Sequence, residues 1–191
     1  MQSSFFAYIG RMRNIVRWAL MHNTYSENVQ EHSHMVAVLA HALAVIRVRV
    51  YGGTIDPGQV AVAALYHDAT EILTGDMPTP IKYYNPEIVA SYRKVERIAE
   101  EKLLATLPHE LRADYEPALR GGDEQTRVLV KAADKLSAYI KCVEELKAGN
   151  LEFKRAAEQT RAALDAMGLP ELDYFMEHCM ESFHKTLDEL T

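Results

Sequence analysis

The stretch from Glu124 to Lys147 constrains the fold more than any other. Its apolar residues Leu129, Ala133, Leu136, Ile140 and Val143 recur at steps of three and four, the spacing that gathers them on one helical face. Gly121-Gly122-Asp123 breaks the chain before it, and Gly149 is well placed to stop it. A helix this long with one apolar face must bury that face, and the rest of the chain offers further helices to do so.

From residue 4 to about 18, Phe5, Ile9, Met12 and Val16 repeat the same spacing. After a polar interval, Asn28 followed three residues later by Glu31 fits a capping box, and the stripe Val36, Leu39, Leu43, Ile46 runs on until Gly52-Gly53. Pro57-Gly58 opens a compact apolar run from residue 60 to about 73, in which Val60, Ala64, His67 and Glu71 share one helical face. The segment Gly75-Asp76-Met77-Pro78-Thr79-Pro80 cannot continue that helix, because its prolines lack donors and hold their predecessors extended, so a loop is expected there. Periodic segments follow over residues 86 to 107 and 152 to 166 and from 170 to the C-terminus, with a short one near 111–115. No alternating β-branched run with hairpin punctuation occurs, and neither does an internal repeat. The expectation is an all-α helical bundle forming a single domain over residues 1–191.

Composition narrows the function classes. With 48% hydrophobic and 25% charged residues the chain can offset the entropy of ordering a core. The two cysteines, Cys142 and Cys179, have no CxxC spacing and are read as buried free thiols. A net charge of −6 gives no electrostatic reason to bind a nucleic-acid polymer, so any positive charge that meets a phosphate must be local. No stretch approaches a membrane span, and Arg11, Arg13 and Arg17 stand where a signal peptide would be apolar, so the expected compartment is the cytoplasm.

Three polar positions stand out against these apolar faces. His67-Asp68 lies in Leu65-Tyr66-His67-Asp68-Ala69-Thr70-Glu71, where an imidazole and a shorter carboxylate can converge on an ion beside the helix; the alternative is a surface pair. His32 falls on the inward stripe of its helix, four residues before Val36, as a ligand or as a core histidine bonded to one carbonyl. Asp134 sits beside Ala133 and Leu136, where a carboxylate is costly unless it is paired, with Lys131 or Lys135, or coordinates a metal. Together His32, His67, Asp68 and Asp134 form a mixed imidazole and carboxylate set without thiolate. Such a set suits one divalent ion (Co, Mn, Zn, Fe or Mg) with positions left open for water and a phosphoryl oxygen.

His32, His67-Asp68 and Asp134 match the H…HD…D signature, and the chain thereby resembles the HD-domain superfamily of all-α, metal-dependent phosphohydrolases. Arg17-Trp18, Glu27-Asn28-Val29, Tyr66-His67-Asp68-Ala69, the block Leu73-Thr74-Gly75-Asp76-Met77-Pro78-Thr79-Pro80 and Lys82-Tyr83 are similar, in order, to motifs of its bacterial 5′-deoxynucleotidases, nearly end to end. The resemblance implies hydrolysis of deoxyribonucleoside 5′-monophosphates by a homodimer holding a divalent ion at His32, His67, Asp68 and Asp134. It implies that Arg17 orients the phosphate and that Trp18 and the loop residues Asp76, Met77, Pro78 and Thr79 contact the nucleotide, with His32 and Asp68 bordering it. An Arg fork suits phosphate oxygens and an indole packs on a sugar or base, although Arg17-Trp18 also reads as a helix-end arginine beside a core tryptophan.

Glu71, one turn after His67, is the candidate for proton transfer, and its alternative duty is to fix the His67 tautomer. His22, His34, His41, His109, His178 and His184 are read as structural, and Lys135 and Ser137 flank Asp134 without an evident role. Two other readings stay open. One is a different HD activity, a dNTP triphosphohydrolase or a cyclic-nucleotide phosphodiesterase; the other is a non-catalytic nucleotide-binding helical module.

Overall fold

The computed structural model of the chain describes residues 2–82 and 84–190, and only the backbone of Thr79 and Pro80. In chain order the α-helices are α1 (Phe5–Ile9), α2 (Val29–Arg49), α3 (Pro57–Tyr66), α4 (Glu71–Thr74), α5 (Thr79–Lys82), α6 (Pro86–Ala105), α7 (Arg112–Leu119), α8 (Glu124–Lys147), α9 (Lys154–Asp165) and α10 (Pro170–His178). Short 3₁₀ segments extend α1, α7, α9 and α10. Among the described residues the extended pairing is confined to one antiparallel bridge, Val16 to Asn28. The fold is all-α.

The long helices begin where local chemistry satisfies their first free N–H groups. Asn28 accepts from Gln30 N and Glu31 N at 3.0 Å each, and the Glu31 carboxylate reaches back to Asn28 N, completing the capping box of α2. Asp56 caps α3 with Pro57 in its first turn, and Asp123 caps α8 through Thr126 N at 2.8 Å.

The main core gathers Val36, Leu39 and Leu43 of α2, Val60 and Ala64 of α3, Leu129, Leu136 and Ile140 of α8, and Leu172 and Phe175 of α10. Burying each leucine contributes roughly 2 kcal/mol, and alanines at the contacts let the helices approach closely. The almost fully buried Glu171 pairs with Arg47 and ties α10 to α2. A second cluster of Phe5, Ala69, Leu103, Leu104, Leu107 and Leu119 lies under the turn after α3, with Tyr66 and Tyr115 packed against it. A third, around Cys142, Phe153 and Ala157, supports Trp18 and Met21.

The structure corrects several expected boundaries. The first helix does not reach residue 18: after the 3₁₀ segment Gly10–Asn14 the chain is extended, Val16 is half exposed, and Arg17 N bonds Glu27 O at 2.9 Å. Backbone pairing there wins over the helical period. The run from 60 to 73 is two helices, because at His67–Leu73 the backbone bonds tighten to i→i−3, as in Ala69 N to Tyr66 O at 3.0 Å. Gly75, at φ 73, then ends α4 in the left-handed region. The proline segment is a loop only as far as Pro78, since Pro80 falls in the first turn of α5, where its missing donor costs nothing. Beyond α10 the chain continues in 3₁₀ turns rather than helix. Of the two cysteines, Cys142 is buried and Cys179 half-buried, both as free thiols.

Replacing Asn28 by Ala removes the cap of α2. Urea unfolding is expected to show a loss of about 1 kcal/mol, whereas a loss near zero would mean that tertiary packing alone fixes this helix start.

Candidate metal centre

The tight turn after α3 presents two adjacent side chains to one point. His67 Nδ1 lies 2.7 Å from Ala64 O and donates there, which turns Nε2 toward the centre as the nitrogen whose proton a cation would replace. That Nε2 is buried and has no hydrogen-bond partner; Asp68 Oδ2 is 3.2 Å away but not aligned for a bond. From α2, the fully buried His32 brings its own Nε2 to 3.6 Å from the same Asp68 oxygen. Ligand atoms of His32, His67 and Asp68 all lie within 4.8 Å of one another.

Asp134 of α8 borders this set through His32, with Oδ1 3.1 Å from His32 Nε2, and its side chain is 40% exposed. Its partner is therefore the histidine, not Lys131 or Lys135. Ser137, one turn further along α8, places Oγ 3.3 Å from His32 Nδ1. Ser137 thus has a duty that its sequence position did not disclose: it meets one ring nitrogen of His32 while the other faces the carboxylates.

Arg17 enters from the extended arm, donating Nη1 to Asp68 Oδ2 at 3.3 Å and Nε to Glu27 Oε2 at 3.4 Å. Trp18 has φ 57, a left-handed conformation that costs a bulky residue about 1–3 kcal/mol and persists only where its surroundings enforce it. Here Met21 N and Asn23 Nδ2 bond its carbonyl at 2.9 and 3.3 Å, Glu27 takes its indole N–H at 3.0 Å, and its ring lies 5.4 Å from that of Phe153. Beneath the arm, the buried pair Lys141 and Glu145 of α8 completes the anchorage. Lys141 Nζ donates to Tyr25 O at 2.8 Å, and Glu145 accepts from Thr24 N at 2.9 Å and Asn150 Nδ2 at 2.8 Å.

The electrostatics of the cluster demand positive charge. Burial works against an imidazolium at His67, yet the charge and contact of Asp68, with Asp134 behind it, push its pKa up to about 9. Asp68 is held well below the usual carboxylate range, against its burial, by His67, His32 and Arg17. Burial and the neighbouring Asp68 and Asp76 push Glu71 up to about 9, with Arg17 and Lys82 opposing. An unpartnered imidazole nitrogen facing carboxylate oxygens, with no sulfur donor, fits a divalent cation, which would supply the charge that these carboxylates call for.

The remaining expected residues are more loosely gathered. Glu71 starts α4, is buried, and leaves Oε2 without a hydrogen-bond partner. Burial raises the Asp76 pKa while the charge of Arg17 opposes it, which ties this loop carboxylate electrostatically to the site. Met77 and Pro78 are half-buried in the same loop. The Thr79 side chain and Tyr83 lie outside the described residues. Lys82 donates to Glu96 Oε1 at 2.9 Å.

Residues 4–183 match the sequence model of the YfbR-like 5′-deoxynucleotidases. The chain belongs to the YfbR-like 5′-deoxynucleotidase family. Proteins named 5′-deoxynucleotidase from Vibrio parahaemolyticus and Escherichia coli are 47% and 48% identical to it over 192 residues, spanning all of this chain and 99% and 96% of theirs. An HD-domain phosphohydrolase from Listeria innocua superposes with a TM-score of 0.77 at 18% identity, over 94% of this chain and 88% of its own. A cyanophage S-2L HD phosphohydrolase, solved with dA and one catalytic Zn²⁺ ion, gives a TM-score of 0.61 at 24% identity, over 95% and 99%. Those two likenesses carry the fold. Within this YfbR-like chain, sequence reasoning assigned no role to Glu27 or Ser137; the signals available were the Glu27-Asn28 block and the one-turn spacing of Ser137 from Asp134.

The anchorage of the arm has a pH signature. Despite burial, bonds from Lys141, Thr24 and Asn150 lower the Glu145 pKa from 4.5 to about 2. A depressed folded pKa means that its contribution is present above the unfolded value and lost as pH falls through the folded one. Urea midpoints of the native protein and Glu145→Gln are expected to differ most near neutrality and to converge toward about pH 2; a pH-independent difference would refute this role.

Proposed function

We propose that this chain is a single-domain, metal-dependent phosphomonoesterase that converts deoxyribonucleoside 5′-monophosphates to deoxynucleoside and phosphate. One observation carries the reading: a guanidinium fork stands 3.3 Å from Asp68, beside an imidazole nitrogen with no hydrogen-bond partner. That arrangement offers phosphate recognition and a cation position side by side, in a chain nearly half identical to named 5′-deoxynucleotidases over its whole length. The dA and Zn²⁺ of the cyanophage neighbour agree with a deoxynucleoside product and a divalent ion.

In this proposal His32, His67, Asp68 and Asp134 hold the ion, which supplies Lewis acidity toward a phosphoryl oxygen and the attacking water. Arg17 uses its free N–H groups to orient the phosphate. Glu71, whose pKa is pushed upward by burial and by the neighbouring Asp68 and Asp76, gives its proton to the 5′-oxygen as the P–O bond breaks with its electron pair on that oxygen. The attacking water's proton restores Glu71. Trp18 or Asp76 forms the wall that leaves a 2′-hydroxyl without room or a partner, and Met77, Pro78 and Thr79 shape the loop beside it, whose prolines limit the entropy lost on closure.

The form of the enzyme in this proposal is a cytoplasmic homodimer acting on a free nucleotide. A net charge of −6 argues against a nucleic-acid polymer as substrate, and no described helix is long and apolar enough to cross a membrane.

The test is phosphate release by metal-stripped protein with Mn²⁺, Co²⁺, Mg²⁺ or Zn²⁺ added back, from dAMP, AMP and dATP in parallel. Metal-dependent turnover of dAMP over AMP is expected; tripolyphosphate release from dATP, or silence on all three, would overturn the reading. Glu71→Ala should keep its metal and lose about 10²–10⁴-fold in kcat, whereas Asp134→Ala should lose both metal and turnover.

A further inference from the structure

Glu27 takes no part in the chemistry above, yet three of its participants meet at its carboxylate. Oε2 accepts from Trp18 Nε1 at 3.0 Å and from Arg17 Nε at 3.4 Å, while Oε1 lies 3.9 Å from His32 Nδ1. The side chain is 15% exposed, so these contacts form largely away from water. Arg17 and Trp18 are consecutive, and consecutive residues of an extended chain point to opposite sides. The left-handed backbone of Trp18 is what brings both donors to one oxygen. The backbone bond from Arg17 N to Glu27 O at 2.9 Å fixes the two residues relative to each other.

Two consequences follow for substrate recognition. With Nε held by Glu27 and Nη1 by Asp68, the guanidinium cannot swing, and its remaining N–H groups keep one direction. The indole N–H is consumed by Glu27, so Trp18 offers a substrate only an apolar ring. A 2′-hydroxyl buried against that ring would lose water and gain no bond, whereas a deoxyribose carbon loses nothing.

We infer that Glu27 is a positioning and specificity-determining residue, which sets the Arg17 fork and removes the Trp18 donor together and thereby couples phosphate binding to sugar discrimination. The inference rests on the proposed deoxynucleotidase activity. It separates two substitutions. Glu27→Gln keeps a neutral acceptor for the indole but loses the charge opposite Arg17; Glu27→Ala loses both.

The experiment measures kcat and KM for dAMP and AMP in the native protein and both variants, with metal content. It also measures acrylamide quenching of the fluorescence of Trp18, the one tryptophan in the chain. Glu27→Gln is expected to raise KM for dAMP about tenfold with kcat and the dAMP-to-AMP ratio of kcat/KM nearly unchanged, the scale of one charge-assisted hydrogen bond. Glu27→Ala is expected to narrow that ratio about tenfold and to make Trp18 more quenchable. In Glu27→Ala, equal losses on both substrates with unchanged quenching would reduce Glu27 to a structural residue and overturn the inference. If Glu27→Ala does not fold, the KM of Glu27→Gln decides: a rise supports the inference and an unchanged value overturns it. A native protein inactive on dAMP refutes the proposed activity instead, and quenching then decides whether Glu27 holds the indole.

Discussion

Asp68 is a carboxylate with little access to water, and one of its oxygens faces three nitrogen groups, Arg17 at 3.3 Å, His67 at 3.2 Å and His32 at 3.6 Å. A charge so enclosed is tolerable only while its partners stay in place, and losing one leaves it uncompensated. Each partner comes from a different part of the chain: the extended arm, the turn after α3, and α2. Asp134 of α8 adds a second carboxylate against His32. Displacing any of these elements would strand a charge, so the site and the fold constrain each other.

Packing supplies the rigidity this arrangement needs. The cluster around Phe5 and Leu103 lies beneath Ala69 and holds the His-Asp turn, and the main core fixes α2 against α3 and α8. The arm has no helix of its own to hold it. Its anchorage is polar and buried instead, through Lys141, Glu145 and Asn150 on one side and the Trp18 to Phe153 contact on the other. Because α8 carries both Asp134 and the Lys141–Glu145 pair, a single helix positions a candidate ligand and the arm that carries Arg17 together.

What was legible in the sequence was what local chemistry decides. Asn28 and Glu31 announced the start of α2, and the glycines around residues 121 and 149 bounded α8, because caps and left-handed glycines act within a few residues. His32 and Asp134 could be suspected because polar groups beside apolar stripes need partners. The break at His67 was hidden, since an i→i−3 turn leaves the apolar period intact. The arm was hidden too, because the bond between Arg17 and Glu27 spans ten residues and competes with a helical pattern that Val16 only imitates. Glu27 and Ser137 gain their meaning from side chains that only the tertiary fold brings near.

The most direct test of the central claim is an anomalous difference map from crystals of the Glu71→Ala protein soaked with Mn²⁺ and dAMP. One peak per chain is expected at His32 Nε2, His67 Nε2, Asp68 and Asp134, with the nucleotide phosphate between that peak and Arg17. A peak elsewhere, or a phosphate bound away from Arg17, would contradict the account.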